Sequence, residues 1–496
     1  MNRTTLSLIA AVTVLAAVTG FASVRSGGED GTSVKAAAQL PVERSSLLCP
    51  QPSQSDLAET AYTSYTPKSA GTEGKGTARL MPAGTSATDS GDDQGKSKKA
   101  KAVVTPQEPG KPATGDASGG DAPALVGTAD GALAPGWTVQ QTTTVDVGTG
   151  RGLLGVDCSQ PDTDFYFPGA STAKDRSDYI HLTNPDDEPA VVDVQMYGPD
   201  GAIKSEVGEG IQIAAHSSVP VLLSTLTDTA YTNLTLHVTA RSGRVAAAVS
   251  AADAKLGGDW LPASTDPAAS LVLPGIPKDA TDVRLVAFAP GQDDADLKLQ
   301  LATSSGKITP AGHDTLHVKS GMTTSVDLKD VTRGDPGSLI LTPSGDSVPV
   351  VAALRVTRGK GADQETAFIP ATADIGSRAT VADNRSKGST LALTAPGATG
   401  RVKVTASAGS EGGTPVTKEY TVKGGTTLAV APPVPSGLKG AYALTVEPVS
   451  GGKVYGSRTL EEKQGGVPAF TIQTLPDDRG TVSVPQSDED LSVLQK

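Results

Sequence analysis

FYFPGAS at 165–171 leads into DYIHLTNPDDE at 178–188, GIQIAAHSSVPVLL at 210–223 and LTLHVTARSGRVAAAVS at 234–250. Apolar residues recur at every second position through most of this stretch. In VVDVQMYG at 191–198, Val192, Val194 and Met196 fall on one side and Val191, Asp193 and Gln195 on the other. Half-buried antiparallel strands have this period. Turn signals (NPDDEP, GPDG, ARSGR) separate the runs.

The order of pieces recurs twice downstream. LVLPGIP at 271–277 and FIPATA at 368–373 repeat the short apolar opening that reaches a proline. DVRLVAFAPGQDD at 282–294 and STLALTAPGATG at 389–400 repeat the strand closed by a turn. TLHVKSGMTTSVDL at 315–328 and EYTVKGGTTLAVAP at 419–432 read as polar hairpins, like GIQIAAHSSVPVLL. LILTPSGDSVPVVAALRV at 339–356 and YALTVEPVSGGKVYGSRTL at 442–460 read as strand pairs joined by a glycine turn. A repeated module reveals architecture before it reveals chemistry.

No stretch after residue 24 keeps a 3.6-residue period for three turns. The expected fold is therefore all-β, a row of tandem immunoglobulin-like β-sandwich modules behind an N-terminal signal or anchor helix. A propeller or barrel is the second choice, but the repeat is too long for one blade. The boundaries read as a signal peptide or membrane anchor at 1–24, a linker at 25–43, and a degenerate module at 44–158 with a disordered insert at 66–122. Full modules follow at 159–256, 257–360 and 361–465, then a C-terminal strand segment and tail at 466–496. The degenerate module is inferred from its ends. SSLLCPQP at 45–52 resembles a module opening, and WTVQQTTTVDVGTGRGLLGVDC at 137–158 resembles a module ending. Between Thr66 and Ala122 Gly, Ser, Thr, Asp, Lys and Pro dominate, a composition with too little apolar surface to offset ordering entropy.

The chain has 496 residues, 37% of them hydrophobic but only 3% aromatic, so several small aliphatic cores are expected. The net charge of −12 is spread without a basic stripe, which argues against nucleic acid and against docking on an anionic membrane. KSKKAK at 96–101 reads as a solvated run. Residues 1–24, with Arg3 before an uncharged stretch, mark export, with the segment either cleaved or kept as an anchor. The only cysteines, Cys49 and Cys158, would then meet an oxidising compartment and form a disulfide, the alternative being two unpaired thiols.

Chemistry is sparse. No zinc-protease, phosphate-loop, nucleophile-elbow or EF-hand pattern occurs. The five histidines, His181, His216, His237, His313 and His317, read as unrelated strand and turn residues. Asp157, Asp162 and Asp164 in VDCSQPDTDF are the candidate Ca²⁺ ligands, since carboxylate-rich linkers between modules can bind that ion; they also fit an ordinary polar linker. Trp260 and the FYF run flank module starts and suit packing at junctions. No catalytic residue, cofactor or other metal site is expected, and the chain reads as a non-enzyme.

The pieces CP, GLLGVDCSQP, FYFPGAS, HLTNP and GRVAAAV, behind an export segment, resemble an uncharacterised family of secreted actinobacterial proteins. The resemblance runs from about Ser45 to the last module. It implies an extracellular or cell-surface location. Because genes of that family are often found beside a large family-2 glycosyltransferase, it also implies a part in surface polysaccharide. The resulting expectation is a non-catalytic cell-envelope scaffold, adhesion or interaction protein. The alternative is a polysaccharide-binding or export accessory protein working with a membrane glycosyltransferase. The expected partners are envelope polysaccharide or that glycosyltransferase, with no nucleic acid and with membrane contact only through the N-terminal segment.

Overall fold

Alternation along each strand sorts its side chains into two faces, and the structure buries the apolar face throughout. The computed structural model describes residues 37–84, 101–464 and 467–485. In Ala190–Gly198, Val192, Val194 and Met196 are buried while Gln195 is exposed. In Ala295–Ala302, Leu297, Leu299 and Leu301 are buried while Asp296 and Lys298 are exposed. Each such leucine contributes about 1.5–3 kcal/mol by leaving water. The described residues hold antiparallel strands and two short 3₁₀ turns, Leu223–Thr225 and Gly361–Asp363, with no α-helix. None of their helices is long and apolar enough to cross a membrane. Residues 1–24, expected to direct export, and most of KSKKAK lie outside the described residues.

The strands form four successive pairs of sheets with one pairing scheme. In the second pair, Asp164–Ala170 pairs with Leu234–Ser242, which pairs with Ala190–Gly198. Opposite them, Ser218–Leu222 pairs with Arg176–Thr183, which pairs with Ala246–Asp253, which pairs with Gly257–Leu261. Both sheets share one core, in which Phe167, Ile180, Leu236 and Val249 are fully buried. The first, third and fourth pairs repeat this order and end on the closing strands Gly152–Asp157, Glu365–Pro370 and Val467–Thr474.

Three expectations about connectivity are corrected. The supposed polar hairpins are crossings between sheets: Ile211–Ile213 pairs with Ala190–Gly198 in one sheet, and Ser218–Leu222 with Arg176–Thr183 in the other. The supposed glycine-turn pairs cross as well, because Leu234–Ser242 and Ala246–Asp253 belong to opposite sheets. FIPATA does not open the fourth repeat. Glu365–Pro370 pairs with Val351–Arg358 and closes the third, and the fourth begins at Ala379–Asn384. The second to fourth sheet pairs therefore run from Asp164 to Leu261, Leu271 to Pro370 and Ala379 to Thr474. Opening and closing strands are both short apolar runs with a proline near the end, so they look alike in sequence.

The expected insert at 66–122 is corrected too. Gly76–Pro82 and Ala113–Ser118 are strands of the first sheet pair, and Leu80, Val104, Ala122 and Ala124 are buried. Residues 85–100 lie outside the described residues. Few apolar residues suffice here because Cys49, Trp137 and Cys158 complete the same core.

Within Pro41–Thr481, one compact unit, the sheet pairs do not stand in a row. Gly257–Leu261 packs on Glu365–Pro370, which packs on Val467–Thr474, which packs on Gly152–Asp157, which returns to Gly257–Leu261. The four closing strands thus form a closed ring. Opening strands reinforce it: Asp164–Ala170 lies against Val351–Arg358, Leu271–Ile276 against Tyr455–Gln464, and Ala379–Asn384 against Thr138–Val145. Near the chain ends, Ala38–Pro41 pairs with Thr481–Val484.

Candidate functional site: an axial cavity

Proline cannot donate to a ladder, so a strand that meets one is released from its sheet. Pro262, Pro370 and Pro476 stand at the ends of three closing strands. The segments that leave the ring there, together with the one after Asp157, surround a cavity of about 370 Å³. Ala246, Ala247 and Ala248 are among its lining residues. Trp137 and Phe165 add the aromatic surface.

The disulfide borders this cavity. Cys49 ends the opening strand Arg44–Cys49 and Cys158 directly follows Gly152–Asp157, with Cα atoms 4.4 Å apart. The expected bridge is present, at the expected places in the first module.

Asp157, Asp162 and Asp164 all line the cavity, but the structure does not bring them together as ligands. Asp164 accepts from or pairs with the His237 ring at 3.0 Å, and the Asp162 carboxylate accepts the Thr163 N–H at 2.8 Å. No three His, Cys, Asp or Glu side chains among the described residues are placed to hold a metal ion. Other lining carboxylates are also engaged. Asp478 forms an ion pair with Arg378 at 2.5 Å, and Asp477 accepts from the Ser377 N–H and hydroxyl at 2.6 and 2.8 Å.

Asp157 differs. Its Oδ1 is buried and no partner reaches it, although the residue as a whole is partly exposed. Burial pushes its pKa up to about 7, against a smaller opposing pull from Arg458. His181 lines the same space. Its Nε2 lies 3.1 Å from the Ser250 hydroxyl, its ring meets Trp260 edge-on at 5.1 Å, and burial lowers its pKa to about 4. His181 Nδ1, Ser264 Oγ and Gln473 Oε1 are buried with no partner among the described residues.

Three of the remaining histidines stand in separate pairings. His216 contacts Asp187, His237 contacts Asp164 and stacks on Tyr166, and His317 contacts Asp294 and Asp296. Trp260 and Tyr166 sit at junctions, as their places beside module starts imply: Trp260 clusters with Leu154 and Val156 of the first sheet pair, and Tyr166 meets Phe288 of the third. Ser264 and Gln473 escaped notice in the sequence. A signal existed in the related strings WLPAS at 260–264, FIPAT at 368–372 and TLPDD at 474–478, which mark the convergent strand exits.

Polar contacts also join the closing strands. Asp259 accepts the Gly155 N–H at 3.0 Å and the Thr471 hydroxyl at 3.1 Å, joining three sheet pairs, and burial raises its pKa well above the usual range. Arg151 donates to the carbonyls of Lys255, Ala362 and Gln364 at 3.2, 3.1 and 2.9 Å and lies 3.4 Å from Glu365.

These features define an all-β repeat protein whose four sheet pairs close into a ring, with a cavity bordered by the segments that leave the closing strands. More particularly, the chain belongs to the Family of unknown function (DUF5719), whose model matches residues 113–433. No curated protein matches the chain.

Proposed function

We propose that the protein is a non-catalytic, exported cell-envelope protein whose four immunoglobulin-like modules form an interaction scaffold. The observation that carries this reading is that three carboxylates lining the cavity are committed to structural partners. The lining carboxylates Asp164, Asp477 and Asp478 each serve a structural partner. Among the described residues, the one serine–histidine hydrogen bond, Ser250 with His181, has no carboxylate on the other ring nitrogen to orient it. Such a site suits recognition rather than bond breaking.

The Cys49–Cys158 bridge supports export, because disulfides persist in oxidising compartments. In this reading residues 1–24 direct the chain across the membrane and are then cleaved or retained as the only membrane contact. The alternative, an accessory protein that binds envelope polysaccharide beside a membrane glycosyltransferase, is favoured by the number of hydrogen-bond acceptors in the cavity. Fractionation of cells producing the full chain tests the first reading. It expects the protein in the envelope or the medium with no free thiol; recovery from the cytosol with two titratable thiols contradicts it.

A further inference from the structure

We infer that the ring has one joint made to open and reclose, the seam where the first and fourth sheet pairs meet, and that this seam is the movable edge of the cavity. Residues 158–163, 262–270 and 371–378 link successive sheet pairs along the chain. The first and fourth pairs have no such link, and the disulfide lies within the first module. Register defines the face that the first pair turns to the fourth. Gln140 stands opposite Asp157 and Thr63, Thr142 opposite Gly155, and Thr138 opposite Tyr65. Opposed residues share a face, so Thr63, Tyr65, Gln140, Thr142, Gly155 and Asp157 lie on one side of the sheet, with Leu153 by alternation. That side meets the fourth pair. Tyr65 clusters with Ala382 and Ala443, Leu153 clusters with Leu460 and Ala469, and a Cβ on Gly155 would meet Thr471 and Gln473.

The seam differs from the other joints in what it buries. Ala353 and Phe368 of the third pair join the apolar core of the second, and Phe470 and Ile472 of the fourth join that of the third. Ala248 and Trp260 of the second pack with Leu154 and Val156 of the first. At the seam the two apolar clusters hold only three residues each. Much of the remaining face is Thr63, Gln140 and Thr142, which are 1%, 0% and 2% exposed. From the fourth pair, Arg458 stands opposite Gln473 and Leu460 opposite Thr471. Gln140 Oε1, Thr142 Oγ1, Asp157 Oδ1, Arg458 Nε and Nη1, and Gln473 Oε1 are buried with no hydrogen-bond partner among the described residues. Parting an apolar joint exposes area that water disfavours. Parting this one exposes little such area and gives unpaired groups water to bond. The closed ring predominates, and the seam is where it parts first. Asp157 and Gln473 line the cavity from the two sides of the seam, so parting widens the cavity.

Accessibility of buried thiols measures how often each joint parts. Cysteines are introduced singly into the oxidised full-length chain. Thr142→Cys and Thr63→Cys stand on the seam. The references are Ala353→Cys at the second–third joint and Ala392→Cys at the third–fourth joint, where a Cβ on Gly275 would lie 3.1 Å from that of Ala392. The parent residues Thr142, Thr63, Ala353 and Ala392 are 2%, 1%, 1% and 4% exposed, so each new thiol reacts only when its surroundings open. Excess iodoacetamide labels the thiols, and mass spectrometry follows the rate. Urea midpoints allow the rates to be compared at equal global stability. The expected result is that both seam cysteines label at least about tenfold faster than both references at matched stability. A smaller difference for either seam cysteine overturns the inference, as does a difference that disappears once stability is matched.

Discussion

Asp157 ends its strand with Oδ1 buried and without a partner, and it forms no ion pair with Arg458. Its raised pKa makes a stability statement. A carboxyl whose folded pKa lies above its unfolded value stabilises the fold fully below the unfolded value, and that contribution is lost as pH rises through the folded value. For Asp157 the window runs from about 4 to about 7. Asp157→Asn is therefore expected to gain stability over the parent progressively across that window and to level off above it. Urea unfolding at pH 5, 6, 7 and 8 checks this; a pH-independent difference contradicts it. Glu365, raised to about 7 mainly by burial, acts in the same direction. His181 acts in the opposite one, since a histidine held neutral loses its contribution as pH falls from its ordinary value toward about 4. Arg151 shows the cost of breaking a buried pair. Arg151→Ala leaves the buried Glu365 carboxyl and the part-buried Gln364 carbonyl without their partner, and is expected to lower stability by about 1–3 kcal/mol, read by denaturant midpoint at constant m-value. None of these pairings was legible in the sequence, where Arg151 and Glu365 stand more than two hundred residues apart.

Strands were the legible level. Period-two alternation located Ala190–Gly198 and Leu234–Ser242, and the apolar face assigned to the first, Val192, Val194 and Met196, is buried. Pairing was less legible, because alternation states that a strand has two faces and not which sheet it joins. The closing strands illustrate this. Glu365–Pro370 reads as an opening by composition, yet pairs as a last strand. Gly76–Pro82 and Ala113–Ser118 were hidden because a strand with few apolar residues can be held by neighbours in a cross-linked core. The disulfide matters most there. Reduction, or Cys158→Ser, opens a loop of 109 residues and is expected to cost up to about 4–5 kcal/mol. Thermal melting with and without reductant checks it; unchanged melting contradicts it. Close approach in the ring sets a second requirement. A Cβ at Gly155 would meet Thr471 and Gln473 of the neighbouring closing strand. Gly155→Ala is expected to cost about 1–3 kcal/mol by overpacking and to alter the Trp260 environment in near-ultraviolet circular dichroism.

At the scale of the molecule, repetition was visible and closure was not. Four similar sheet pairs could stand as separate beads or bury their edges on one another, and the repeat is the same in both cases. What decides is the outward face of each closing strand. Phe368 of the third sheet pair enters the core of the second, and Phe470 and Ile472 of the fourth enter the core of the third. Leu153 of the first meets Leu460 and Ala469 of the fourth. These contacts account for a cavity on the axis, and hence for the site on which the functional proposals depend. Small-angle scattering from the oxidised segment 41–481 tests closure most directly. The ring predicts a radius of gyration of about 22 Å for its 441 residues, the value for a single compact body. A radius above about 35 Å, with the profile of beads in a row, would contradict it.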